Sequence, residues 1–172
     1  MIILWSPLLI GRIMGVSMKI IEVTEKNAHV YVNLSQAYEG EFSKIMQKKP
    51  NIDGTFSLDT ELGGHVKGYL LYVDDIPAGH TAIATESPNN YEVCDFYIVP
   101  YFRRGQLGQQ FISELFHRLQ GDWEIKQVEG ADHAVMFWRR VINSYTAGQF
   151  SEDRYHDEKW GMVTRQRFSH RA

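Results

Sequence analysis

The sequence predicts a single mixed α/β domain, a sheet with a parallel pair at its centre and helices on its faces. Three observations predict it. Between His65 and Val99, three strand-like runs follow one another with only short turns between them, which makes an antiparallel meander. The periodicity then changes. Leu107, Phe111, Leu115 and Leu119, with Ile112 and Phe116 beside them, form a wide apolar stripe at helical spacing. Trp123–Val128 then returns to strand character, and a strand–helix–strand connection of this kind runs parallel through a right-handed crossover.

The elements follow in order. The stretch Met1–Ser17 is apolar but shorter than the roughly 20 residues a membrane-spanning helix needs. It carries Pro7 and Arg12, and it lacks the basic start of a secretory signal. Met18-Lys19-Ile20-Ile21-Glu22-Val23 reads as a domain start. Residues 1–17 are therefore read as a non-native or mis-called extension, and 18–172 as the single domain. Lys19–Val23 is the first strand. Asn27 is placed to cap a helix over Ala28–Tyr38, with Val30, Leu34 and Ala37 on one face. Gly40 breaks that helix, and Glu41–Lys48 forms a second short one that Pro50 stops. Asn51–Gly64 is polar and reads as a loop, with one extended piece at Thr55–Leu58.

The meander comes next. His65–Val73 turns at Asp74-Asp75 into Ile76–Thr85. The turn Ser87-Pro88-Asn89-Asn90 leads into Tyr91–Val99. Gln106–Leu119 is helical, and Gly121 ends it. After Trp123–Val128, Gly130 and Asp132 precede a helix over His133–Asn143, buried through Ala134, Phe137, Trp138 and Val141. Two extended stretches close the chain, near Gly148–Ser151 and Trp160–Phe168.

Composition sets limits on function. At 172 residues the chain can bury a sizeable core. A formal net charge of −3 gives no general attraction to nucleic acid or to an anionic membrane, so neither is expected as a partner. Cys94 is the only cysteine, which excludes an internal disulfide and fits a cytoplasmic location. The histidines are scattered without ligand spacing, so no metal site is expected.

The stretch Cys94–Gly108, CDFYIVPYFRRGQLG, carries the chemistry. An apolar strand is stopped by Pro100. Arg103, Arg104 and Gly105 follow, and a helix begins. Exposed N–H groups at a helix start, the positive end of its dipole and two guanidinium groups together favour a phosphate.

Asp95 through Gly108 resembles the acyl-CoA-binding motif of the GNAT superfamily of N-acyltransferases, Arg/Gln-x-x-Gly-x-Gly/Ala after a strand that ends in proline. The element order is similar over essentially all of 18–172. The run from Trp123 through Phe137-Trp138-Arg139-Arg140 to Tyr145-Thr146-x-Gly148 resembles one branch known as predicted acetyltransferases. The resemblance implies a GNAT-like fold, a central mixed sheet flanked by helices. It also implies acetyl-CoA as co-substrate and a primary amine of a small molecule or peptide as acceptor. It is compatible with a homodimer, which nothing in the sequence shows.

By the same resemblance, Phe96, Ile98 and Val99 lie nearest the pantetheine arm, where two strands splay apart. Arg103, Arg104, Gly105, Gln106, Leu107, Gly108 and Phe137 complete the cofactor-binding set. The chain departs from the pattern at two places. Gln106 holds the motif's middle glycine position, and Trp138 stands where many members place a tyrosine that protonates the leaving thiolate. Tyr145, Tyr97 or water must then supply that proton. Glu92 and Asp95 are the base candidates; they differ by an odd number of positions, so only one can face the site along a regular strand, and the resemblance, which keeps Asp95 beside the catalytic strand, favours Asp95. Glu39 and Glu41, with Tyr38 and Phe42, are candidates to line an amine pocket.

Each of these residues also has a plainer reading. Trp138 can be packing, Arg139-Arg140 an exposed helix face, and Cys94 a small buried hydrophobe. The two departures also leave open a second class of function, a catalytically silent acyl-CoA-binding module. Turnover with any amine separates it from an enzyme.

Overall fold

The computed structural model describes residues 11–13, 16–103 and 105–171. Its strands are β1 (Gly11–Ile13), β2 (Val16–Glu22), β3 (Val66–Val73), β4 (Ile76–Ser87), β5 (Asn90–Ile98), β6 (Gly121–Val128), β7 (Ser151–Asp157) and β8 (Gly161–His170). The helices are α1 (Ala28–Phe42), α2 (Leu107–Arg118) and α3 (Asp132–Thr146). The strands form one sheet in the order β1-β2-β3-β4-β5-β6-β8-β7. Every pairing is antiparallel except β5 with β6. The predicted fold, with its parallel pair at the centre, is the one observed.

The helices cover both faces. α1 closes one side, where Tyr31, Leu70 and Ala82 are buried with Val30 and Leu34 packed against them. α2 and α3 close the other, where Phe111, Ile112, Leu115, Phe116, Trp138, Val141 and Ile142 meet Leu71, Ile83, Val93, Trp123 and Ile125. Each large apolar side chain buried this way stabilises the fold by roughly 1.5–3 kcal/mol.

The turns follow their residues. Asp74 and Asp75 both adopt positive φ, 48° and 65°, the geometry of a two-residue hairpin. Asn89, at φ 62°, makes the turn between β4 and β5. Gly121 starts β6 rather than ending α2. An added Cβ there would lie 2.1 Å from the Asn89 carbonyl oxygen, so only glycine lets the two strands approach.

Other expectations are also corrected. β2 begins at Val16 and pairs back on β1, so the boundary expected at Met18 falls inside the sheet. The remainder of the expected extension lies outside the described residues. α1 runs through Gly40 to Phe42, and Ser43–Gln47 continues as turns, not as a second helix. A glycine costs a helix only about 1 kcal/mol, and burial of Tyr31, Ser35 and Glu39 on one face holds α1 together. Asn27 sits at the N-cap position without capping. Its side-chain oxygen accepts the Thr24 N–H at 2.6 Å, and its NH₂ donates to the Glu22 carbonyl. Residues 51–64 form a loop with no strand in it. Its Phe56 exchanges two hydrogen bonds with the Gln36 carboxamide, and its Asp59 N–H donates to Glu39. Those bonds hold the loop against α1.

Candidate active site

β5 and β6 separate where chemistry was expected. They pair from Asn90↔Asp122 to Val93↔Ile125 and no further, although β5 continues to Ile98 and β6 to Val128. A β-bulge coincides with the split. Ala82 pairs with Asp95 and Ile83 with Val93, which leaves Cys94 as the extra residue. Backbone groups on the facing edges of Cys94–Ile98 and Lys126–Val128 are thereby released from the ladder.

The bulge overturns one expectation. On a regular strand Glu92 and Asp95 would face opposite ways. The extra residue resets the alternation, and both line the same cavity of about 380 Å³. Tyr38, Phe42, Thr60, Trp138 and Trp160 also line it. The carboxylates Asp59, Glu61, Glu86, Glu92 and Asp95 outnumber its basic lining residues, Lys126 and His65. Glu92 is engaged with the Lys126 ammonium at 2.9 Å, which also meets Glu124. Burial opposes the Lys126 charge, but these two carboxylates outweigh it and hold its pKa above the ordinary lysine value.

Asp95 is 6% exposed. Burial pushes its carboxyl up from 3.8 to about 6; the Thr60 hydroxyl donating to it works the other way, and Glu39 and Asp59 add to the rise. A group held near 6 is ionised at neutral pH and still basic enough to take a proton. Cys94 is no nucleophile, since burial, with Glu92 and Asp95 near it, pushes its thiol up to about 12. His80 is buried beside Tyr31, Tyr38 and Tyr97, and burial lowers it to about 3, so it stays neutral.

A second cleft of about 710 Å³ adjoins the first. Phe42, Phe96, Ala131, Ala134 and Trp138 line both, so the two meet at the strand split. Phe96, Ile98, Arg103, Gly105, Gln106, Gly108 and Phe137 line this cleft, which gathers most of the expected cofactor set. Phe137 stacks on Phe96 at 5.4 Å. Gly108 packs so tightly that a Cβ would lie 3.3 Å from Ile98 and 3.5 Å from Phe137. Gly105 and Gln106 take positive φ, 103° and 68°, and no side chain among the described residues caps α2. The N–H groups of its first turn are left for an anion. The cleft thus presents apolar walls, free strand edges and an uncapped helix start in sequence.

Some expected residues stand elsewhere. The Val99 N–H donates to the Ala78 carbonyl at 2.9 Å, and Val99 lies outside the cleft lining. Leu107 points its side chain into the core. Arg103 is clamped rather than free. Its Nε donates to the Ile98 carbonyl, and its two terminal nitrogens donate to the Glu41 carboxylate at 2.7 and 2.6 Å. Arg104 lies outside the described residues. Tyr145 packs among Phe116, Phe168 and His170 and lines neither cavity. That placement does not suit the proton donor expected there. Tyr97 does line the second cleft, and it hydrogen-bonds Arg103. Of the amine-pocket candidates, Tyr38 and Phe42 line the cavity. Glu39 is buried behind it, bonded to Lys48, and Glu41 faces Arg103.

Thr60 and Gln127 are among the lining residues that the sequence reading missed. Thr60 sits in a loop without pattern. Gln127 carried a signal, because it follows Trp123 and Ile125 in the inward alternation of β6 where a third apolar residue belongs.

No protein-family model matches the chain, and no curated protein matches its sequence. Solved structures do. The ribosomal L7/L12 α-N-protein acetyltransferase, in complex with coenzyme A, superposes with a TM-score of 0.63 at 11% identity over 88% of this chain and 93% of that one. A GNAT-family protein from Bacteroides thetaiotaomicron, described as an acetyltransferase, gives 0.60 at 14% identity over 90% and 88%. The ribosomal-protein-S18-alanine N-acetyltransferase from Escherichia coli gives 0.58 at 10% identity over 90% and 95%. This protein has the GNAT N-acetyltransferase fold.

Proposed function

We propose that the protein transfers an acetyl group from acetyl-CoA to a primary amine, with both substrates bound together at the strand split. One observation carries the reading: the separation of β5 and β6 joins a phosphate-compatible cleft to an acidic cavity that holds a carboxylate poised near pH 6. Acetyl-CoA would lie along Phe96 and Ile98, with its phosphates at the α2 start around Gly105–Gly108. It supplies an acyl group activated as a thioester.

The acidic lining draws in an ammonium, and Asp95 takes its proton. The neutral nitrogen attacks the thioester carbon. Backbone N–H groups freed on β5 beyond Val93 stabilise the oxygen that becomes negative. The new carbon–nitrogen bond forms as the carbon–sulfur bond breaks, giving the N-acetyl amine. Tyr97, the tyrosine in the cofactor cleft, donates a proton to the leaving sulfur and regains one, through water, from the nitrogen, which sheds its second proton as it becomes the amide. Holding both reactants in one gap supplies much of the rate.

The test follows free thiol released from acetyl-CoA with a panel of primary amines, and checks each product by mass. Acetylated amine, formed by the wild type and not by Asp95→Asn, supports the reading. Cofactor binding without acetylation of any amine contradicts it and leaves the silent binding module.

A further inference from the structure

Gln127 is 5% exposed and lines the acidic cavity, yet neither its Oε1 nor its Nε2 has a hydrogen-bond partner among the described residues. It projects to the same side of β6 as the core residues Trp123 and Ile125. Packing alone would favour an apolar side chain here. A buried carboxamide with both ends unmet is costly to keep. β6 is also past its last pairing with β5 at this point. Gln127 does not line the cofactor cleft, so its unmet bonds belong to the acceptor's side of the split.

The partner's chemistry follows from what a carboxamide needs. It offers an N–H donor and a carbonyl acceptor side by side. An ammonium would satisfy Oε1 and leave Nε2 unmet. A carboxylate would satisfy Nε2, leave Oε1 unmet and face the carboxylates of the lining. An amide satisfies both at once through a paired donor and acceptor.

Building on the acetyl-transfer reading, we propose that Gln127 is a specificity-determining residue that pairs with an amide group of the acceptor, so that the preferred substrate is an amine bearing a nearby carboxamide or peptide amide, not a simple alkylamine. Asp95 would serve the amine end and Gln127 the amide.

The test compares ω-amino amides of increasing chain length with alkylamines of matched length. Binding is read as thermal stabilisation in the presence of CoA, and transfer as kcat/KM. Wild-type protein should favour the best amide over its alkyl partner by roughly ten- to a hundredfold, because the alkyl analogue leaves a buried donor and acceptor unsatisfied. Gln127→Met, of similar shape and without the polar atoms, should erase most of that ratio. The variant should also melt at a higher temperature without ligand, an effect opposite to the loss of a structural hydrogen bond. Equal preference in the wild type, an unchanged ratio in Gln127→Met, or a change in acyl-group preference instead of amine preference would each overturn the proposal. The binding ratio reads Gln127 whether or not product forms. Absence of product from every amine counts against acetyl transfer alone.

Discussion

Replacing Asp95 by Asn should stabilise the protein while stopping its chemistry. In the fold the carboxyl ionises near 6, against 3.8 ordinarily. Between these values the native state keeps a proton that the unfolded chain has released, so stability falls as pH rises through that window. Above it the penalty is constant. A difference of about 2 in pKa, at about 1.36 kcal/mol each, makes the ionised carboxylate cost about 3 kcal/mol. Asn cannot ionise, and its side-chain oxygen can still accept from the Thr60 hydroxyl. Urea unfolding of both proteins should therefore show Asp95→Asn more stable by about 3 kcal/mol above about pH 7, with the gain vanishing below about pH 4. Turnover should fall by roughly 10²–10⁴, with little change in CoA affinity. The wild-type rate should rise with pH through about 6, and that inflection should be missing from the variant's residual rate. A stability gain independent of pH would refute the burial argument, and unchanged turnover would remove Asp95 as the base.

Four further substitutions test other parts of the account. Gln106→Gly relieves a non-glycine residue at φ 68° in the cofactor turn; it should raise stability by about 1 kcal/mol and tighten CoA binding, both read by thermal shift with and without CoA. Weaker CoA binding would show instead that the Gln106 side chain holds the cofactor. Tyr145→Phe should leave turnover unchanged and Tyr97→Phe should lower it, since only Tyr97 lines the cleft; the reverse pattern in steady-state rates would restore Tyr145 as the proton donor. Gly121→Ala places a Cβ 2.1 Å from the Asn89 carbonyl oxygen and should destabilise by about 3 kcal/mol in urea unfolding; a loss under about 1 kcal/mol would mean that β5 and β6 part easily at that end.

Much of this fold could be read from the residues because long, strongly patterned segments dominate it. The stripe Leu107–Leu119, the Asp74-Asp75 turn and the Pro100 stop each have one simple physical meaning. What misled was local and short. Gly40 signals a break, but burial of the α1 face outweighs roughly 1 kcal/mol of propensity. Gly121 follows a helix and looks like its cap, while its actual constraint is the Asn89 backbone from the far end of another strand.

The site was legible in parts. Of the ten residues expected at the cofactor, seven line one cleft. The bulge at Cys94 has no sequence signature, yet it alone decides that Glu92 and Asp95 share a cavity. The Glu41–Arg103 clamp joins residues far apart in the chain, which no local pattern reveals. Tyr145 looked suitable by type and was excluded by placement among Phe116, Phe168 and His170. Gln127 was the reverse case, a polar residue in an inward apolar alternation whose carboxamide has no hydrogen-bond partner among the described residues, which no local pattern reveals.

The most direct test of the central claim is the thermal stability of the purified protein with acetyl-CoA, CoA and ATP at matched concentrations. A ligand that binds only the folded state at a hundred times its Kd adds about 2.7 kcal/mol. The account predicts that both CoA species raise Tm clearly and that ATP, which has phosphates and adenine but no pantetheine arm for the gap between β5 and β6, raises it far less. No shift with either CoA species at about millimolar concentration, or an equal shift with ATP, would contradict the account, because the strand split would then not be a pantetheine site.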